Sequence, residues 1–206
     1  MTAQVGATTS SDALRKSQLR KTLRKRRASL SAAQRSRAAQ RAADHLIAQL
    51  SHRKARSVAA YLAYGSELST APLLAQLHAC GVRVLLPRLR GRQMRFVAWT
   101  AHERLRRNRH GIAEPVGRRI VSPAHIDVMV MPLTGFDAQG QRLGTGGGYY
   151  DRALQHLHTR RRPWRVGYAY ALQECEGLPH EAWDIRLHAI CTERGLRHFR
   201  SSHRVT

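Results

Sequence analysis

The sequence predicts a single α/β domain: an open, mostly parallel, Rossmann-like sheet with helices on both faces. Three observations point there. Apolar runs such as "SVAAYLAY", "VRVLLPRL" and "IDVMVMPLTGF" are continuous rather than alternating, as in strands buried on both faces. They alternate with segments that carry helix start and stop signals. The chain has 206 residues, 42% of them apolar, which suits one substantial core rather than two.

The elements follow in order. Residues 1–11 are small and polar and are expected to form a disordered tail. The domain is expected over 12–200, with a C-terminal tail at 201–206. "DALRKSQLRKTLRKRRASL" reads as a basic helix with Leu19 and Leu23 on one face. Ser31 opens "SAAQ", a Ser-x-x-Gln capping box, and the helix it starts is expected to end near Leu50. "SVAAYLAY" is a buried strand. Ser69 or Thr70 is placed to cap the next helix, with Pro72 in its first turn and Gly81 at its stop. "VRVLLPRL" and "QMRFVAW" are strands, and "RRNRHGIAEPVG" reads as a loop. "IDVMVMPLTGF" is the most apolar strand, with "DAQG" as the turn after it. A helix is expected from about Tyr149 to His158, then strands at "WRVGYAY" and around Leu187 to Thr192.

Bulk properties restrict the function. No apolar run is long enough to span a bilayer, and the N-terminus has no apolar core of a secretory signal, so the expected location is cytoplasmic. Cys80, Cys175 and Cys191 are scattered, without metal or redox spacing, and are expected as reduced thiols. The formal charge of +23 suits nucleic acid, an anionic surface or a small polyanion. Arginines outnumber lysines and are spread along the chain, which also suits a merely basic composition.

The chemistry concentrates in "RLGTGGGYYDR", Arg142 to Arg152. Ligands of open α/β sheets sit at the carboxyl ends of strands, where this segment falls. Glycines let backbone amides close on phosphate oxygens, and a helix starting near Tyr149 aims its positive end at the anion. The Walker A pattern fails because Gly148 is followed by Tyr149 and Tyr150. The GxGxxG pattern fails because Tyr149 takes the third glycine position. Composition alone also allows a turn that only lets strand and helix pack closely. Arg142 before the loop and Asp151 with Arg152 after it favour anion and metal binding; Asp151 offers Mg²⁺ a hard oxygen ligand.

The run "VMVMPLTGFDAQGQRLGTGGGYYDR" resembles the signature of the 5-formyltetrahydrofolate cyclo-ligase family. "LRKTLRKRRASLSAAQR", "YLAYGSELSTAPLL", "MRFVAW", "GIAEP" and "AWDIRLHAICTERG" are similar to further segments of that family in the same order. The resemblance implies an ATP-dependent ligase that converts 5-formyltetrahydrofolate to 5,10-methenyltetrahydrofolate, with Mg²⁺ as cofactor and ATP as co-substrate. Its partners would be small molecules, a reduced folate and ATP, with no dedicated nucleic-acid partner and no membrane. By position, Lys16 and Arg20 match ATP-phosphate residues. Arg142, Leu143, Gly144, Thr145, Gly146, Gly147, Gly148, Tyr149 and Tyr150 match the nucleotide loop. Leu62, Glu67 and Tyr149 match folate contacts, and Asp151 and Asp184 match Mg²⁺ carboxylates. Trp99 suits the core equally well.

Four positions depart from the family pattern. Thr145 and Gly147 stand where some members carry arginine and lysine, His110 where an aromatic packs near the folate, and His188 where an aspartate stands. The loop itself then supplies fewer cations, unless Arg142 or the first helix makes up the difference. Two other functions fit parts of the sequence. Arg15 to Arg27 would bind RNA or DNA through phosphate contacts, although no aromatic-interleaved basic strand accompanies them. A sugar-phosphate isomerase on a related fold would use the glycine loop for a substrate phosphate, and would need a general base in the cleft.

Overall fold

The computed structural model describes residues 4–200 apart from His158 and Arg161, and the side chains from residue 11 on. In chain order the elements are α1 (Gln4–Ala28), α2 (Ala32–His52), β1 (Ser57–Ala59), α3 (Ala71–Ala79), β2 (Arg83–Arg90), β3 (Gln93–Ala98), β4 (Leu105–Arg107), β5 (Ala113–Pro115) and β6 (Ile120–Val121). Then follow β7 (Val128–Met131), β8 (Gly135–Phe136), β9 (Arg142–Leu143), α4 (Tyr149–Leu154), β10 (Trp164–Tyr168), β11 (Ala189–Thr192) and β12 (Gly195–His198). One eight-stranded sheet runs in the order β12-β11-β10-β7-β1-β2-β3-β6. Its centre, from β11 through β10, β7 and β1 to β2, is parallel. The flanks β12 and β3 run antiparallel to their neighbours.

Both faces of the centre are buried, as continuous apolar runs require. Val58, Val84, Val128, Val130 and Val166 pack with Leu46 of α2 and Leu73 and Leu77 of α3. Ala59, Leu85, Met129 and Met131 face the other way, against Leu154 of α4 and Leu157 beyond it. Asp127 ties the starts of β1 and β7 together: its Oδ2 accepts from Arg56 N, Ser57 N and Ser57 Oγ, each at 3.0 Å. Ser31 forms the expected capping box with Gln34.

Several expectations need correction. "IDVMVMPLTGF" is not one strand. Pro132 has no N–H to give the ladder, so β7 stops at Met131, and Gly135–Phe136 pair with β9 in a separate ribbon. The pairing in "SVAAYLAY" ends at Ala59, and the residues after it line the site. "RRNRHGIAEPVG" is not purely a loop, because it includes β5 and the end of β4, which pair with each other. α1 starts at Gln4 rather than Asp12, with no proline to break it. Residues 1–3 and 201–206 of the expected tails lie outside the described residues, as does His158 at the expected end of the fourth helix. That helix keeps α-geometry only to Leu154 and tightens to a 3₁₀ turn over Gln155–Leu157. Thr70 occupies the cap of α3, but its hydroxyl donates to Tyr61 O at 2.5 Å instead of capping the helix. Among the described residues no helix is long and apolar enough to cross a membrane.

α1 is the element that makes a site of this sheet. It packs on the β8–β9 ribbon through Leu23, which clusters with Leu143 and Leu178, beside Leu19. The approach depends on Gly135: a Cβ there would lie 2.6 Å from Leu23 Cδ1.

At the far end of β10, buried Arg165 donates to Leu157 O and Arg186 O, each at 3.0 Å, and lies 2.8 Å from His188 Nε2. Burial, then the Arg165 and Arg53 charges, hold His188 down from 6.5 to about 4. The unfolded chain therefore takes a proton at His188 that the folded chain refuses until about pH 4. This contribution to stability is complete above about pH 6.5 and is lost as pH falls towards 4. In thermal denaturation across that window, the wild type should lose Tm more steeply than His188→Asn. Equal slopes would mean that His188 titrates alike in both states.

Candidate active site

A cavity of about 980 Å³ opens at the carboxyl end of the parallel strands. The loop from Gly144 to Gly148 forms part of its wall, between β9 and α4. Gly146 has φ +109° and Gly148, the residue before α4, has φ +61°, regions that disfavour any side chain. The loop's carbonyls are held by guanidiniums. Arg20 Nε donates to Gly144 O at 2.9 Å, Arg24 Nη2 to Thr145 O at 3.3 Å, and Arg152 Nη2 to Gly147 O at 2.8 Å. Among the described residues, the amides of Gly146, Gly147 and Gly148 donate to no protein acceptor.

Arg142 and Asp151 clamp the two ends of this loop. Arg142 Nη2 meets Asp151 Oδ1 at 2.5 Å, and the Arg142 side chain is 5% exposed. The same carboxylate oxygen accepts from Ile185 N at 3.2 Å, which brings the 184–185 segment to the site. Lys16 Nζ lies 3.4 Å from Asp184 Oδ2 and 3.6 Å from Glu181 Oε1. Asp151 and Asp184 therefore share one cavity wall, each beside a cation.

Leu62, Glu67 and Tyr149 also line the cavity, with apolar neighbours Leu86, Pro87, Leu89, Met94 and Ile112. Glu67 Oε2 accepts from Tyr64 N at 3.0 Å. Burial raises the Glu67 pKa, while the Tyr64 amide and the Arg27 and Arg24 charges oppose the rise. Arg27 is buried in the same wall, donates to Leu133 O at 3.3 Å, and has an Nε with no acceptor. Tyr150 lines the cavity as well, and burial pushes its phenol well up.

Every residue expected at the site from the sequence thus lies on this one cavity, and His110 joins them. Trp99 does not: it packs against the core beside α3, edge-on to His78 with ring centroids 5.2 Å apart. Arg24, Arg27, Asn108 and Glu114 line the cavity without having been singled out. For the two arginines a signal existed, since positions 16, 20, 24 and 27 follow one face of a helix. Glu114 was signalled only by the family likeness of "GIAEP", because taken alone its segment reads as a loop. The guanidiniums of Arg20, Arg24 and Arg152 on the loop carbonyls bring cations from α1 and α4 to the loop that carries Thr145 and Gly147.

Known proteins are similar to this chain in sequence and in fold. The model of the 5-formyltetrahydrofolate cyclo-ligase family matches residues 12–193. The Escherichia coli K12 5-formyltetrahydrofolate cyclo-ligase is 39% identical over 176 residues, covering 82% of this chain and 96% of that protein. The Haemophilus influenzae 5-formyltetrahydrofolate cyclo-ligase is 35% identical over 181 residues, 85% of this chain and 96% of that one. The NMR structure of Aquifex aeolicus 5,10-methenyltetrahydrofolate synthetase superposes with a TM-score of 0.75 at 32% identity, covering 93% of this chain and 96% of that one. A match over most of the chain, the same fold, and a glycine loop clamped at a strand end together establish that this chain is a ligase of the 5-formyltetrahydrofolate cyclo-ligase family.

Proposed function

We propose that the chain converts 5-formyltetrahydrofolate to 5,10-methenyltetrahydrofolate, consuming ATP and releasing ADP and phosphate. The observation that carries this reading is the juxtaposition in one cavity of an amide-rich, guanidinium-backed loop and an apolar wall bearing a carboxylate. The first suits a triphosphate and the second a flat, N–H-bearing ring.

The reaction needs positioning and charge neutralisation more than a protein nucleophile. The formyl oxygen forms a bond to the γ-phosphorus as the bond to ADP breaks. N10 then attacks the formyl carbon and loses its proton, and the carbon–oxygen bond breaks as phosphate leaves. The transferred oxygen ends in phosphate, and a five-membered ring is closed. In this scheme the amides of Gly146 to Gly148 and the Arg20 and Lys16 cations hold the phosphate chain. Glu67 accepts from ring N–H groups and, with Leu62 and Tyr149, sets the pterin plane. The apolar wall excludes water that would otherwise intercept the phosphorylated formyl group.

Mg²⁺ fits the donors present. Asp151 Oδ2 and Asp184 Oδ1 have no protein donor among the described residues. Mg²⁺ is commonly held by one or two carboxylates plus phosphate oxygens. When bound it supplies neutralisation of the charge that builds on the phosphates. ATP is the co-substrate, and the reduced folate and ATP are the partners that this cavity suits.

Mixing the protein with 5-formyltetrahydrofolate, Mg²⁺ and ATP should give the methenyl absorbance, and omission of ATP should abolish it; no product in either mixture would overturn the reading. Lys16→Ala should raise KM for ATP about tenfold or more, as loss of a charged contact does. KM for the folate should change little, whereas equal changes in both would return Lys16 to a structural role.

A further inference from the structure

Glu114 is 8% exposed, yet it lines the cavity. Its two oxygens differ. Oε1 accepts from Leu89 N at 2.9 Å and from Asn108 Nδ2 at 2.7 Å. Oε2 has no donor among the described residues and is not a sealed, unsatisfied oxygen, so it keeps some exposure. Among the described residues, Glu114 also forms no ion pair.

The side chain is fixed before any ligand arrives. Asn108 is itself held in place: Oδ1 accepts from His110 N at 2.8 Å and Ile112 N at 3.1 Å, while Nδ2 holds Glu114. Asn108 N also donates to Ile112 O at 2.9 Å, closing the turn that leads into β5. That turn abuts the segment carrying Glu67: a Cβ on Gly111 would sit 3.6 Å from the Tyr64 hydroxyl, and Tyr64 N is the donor to Glu67. Glu67 and Glu114 thus stand on neighbouring supports around the apolar part of the cavity. A carboxylate on the cavity wall with one oxygen tied down and the other without a protein donor has acceptor capacity left for a ligand N–H.

We infer that Glu114 is a second substrate-binding carboxylate, whose Oε2 accepts N–H groups from the reduced pterin while Glu67 serves another edge of the ring. The assignment rests on the proposed folate reading of this cavity. A pterin presents ring N–H and exocyclic amino donors on more than one edge, which a single carboxylate cannot serve together. Asn108 is a positioning residue that acts through Glu114.

The test is Glu114→Gln, which keeps an acceptor for Leu89 N and Asn108 Nδ2 but turns an NH₂ towards the ligand. Binding of 5-formyltetrahydrofolate is measured by calorimetry, beside Tm and the KM values for both substrates. Expected are an unchanged Tm, an unchanged KM for ATP, and a Kd for the folate raised roughly tenfold to a hundredfold, the range for a lost charge-assisted hydrogen bond. Folate affinity equal to wild type overturns the assignment, as does a loss of Tm that accounts for the weaker binding. If wild type binds the folate without forming product, the functional reading fails while a Kd raised in the variant still supports Glu114. If wild type binds no folate, both fail.

Discussion

The ion pair between Arg142 and Asp151 governs the shape of the site. It spans the glycine loop from the first residue of β9 to the first turn of α4, and the same aspartate oxygen takes the amide of Ile185. Both ends of the loop and the more distant 184–185 segment therefore meet on one oxygen. Arg142 is almost wholly buried, so losing its partner would leave an uncompensated charge, typically costing about 3–5 kcal/mol. With the ends fixed, Gly146 and Gly148 adopt conformations that no side chain favours, and among the described residues the amides of Gly146 to Gly148 are left without protein acceptors. The loop's flexibility in sequence thus becomes a fixed cradle in structure.

Around that cradle, charge is arranged in layers. Guanidiniums on the loop carbonyls come from α1 and α4, not from the loop. A loop with threonine and glycine at positions 145 and 147 is consequently not poor in cations; it borrows them. Lys16 does the same for the carboxylates Asp184 and Glu181. The basic composition that first suggested a polyanionic partner is in part explained by this inward-facing stripe on α1. His188 belongs to a different place, half-buried beside Arg165 at the opposite end of β10 and away from the cavity.

Much of this was legible in the sequence because the physics was local. Continuous apolar runs flanked by turn residues identify strands covered on both faces, and the valines of β7 and β10 do pack between helical layers. The Ser31 capping box is a short-range signal, and it forms. The glycine loop was readable because glycine, aromatic and charge signals coincide in eleven residues. The antiparallel flanks were not readable, since a hairpin such as β2–β3 and a parallel strand carry the same apolar pattern. Pro132 was visible, but its effect, cutting one long apolar run into β7 and β8, depends on which neighbours compete for pairing. The burial of Glu114 was hidden because "GIAEP" taken alone looks like a turn, whereas it forms β5 paired with β4.

The reach of α1 has a consequence for how the protein comes into being. Arg20 meets a carbonyl 124 positions downstream, and Lys16 meets a carboxylate 168 positions downstream. During translation α1 leaves the ribosome on the order of ten seconds before the loop it must face, at ordinary elongation rates. Until then it is an exposed cationic rod with nothing to neutralise it, in a compartment crowded with ribosomal RNA. Folding then draws Lys16, Arg20 and Arg27 into the cleft wall, while Arg15, Lys21, Lys25 and Arg26 stay exposed.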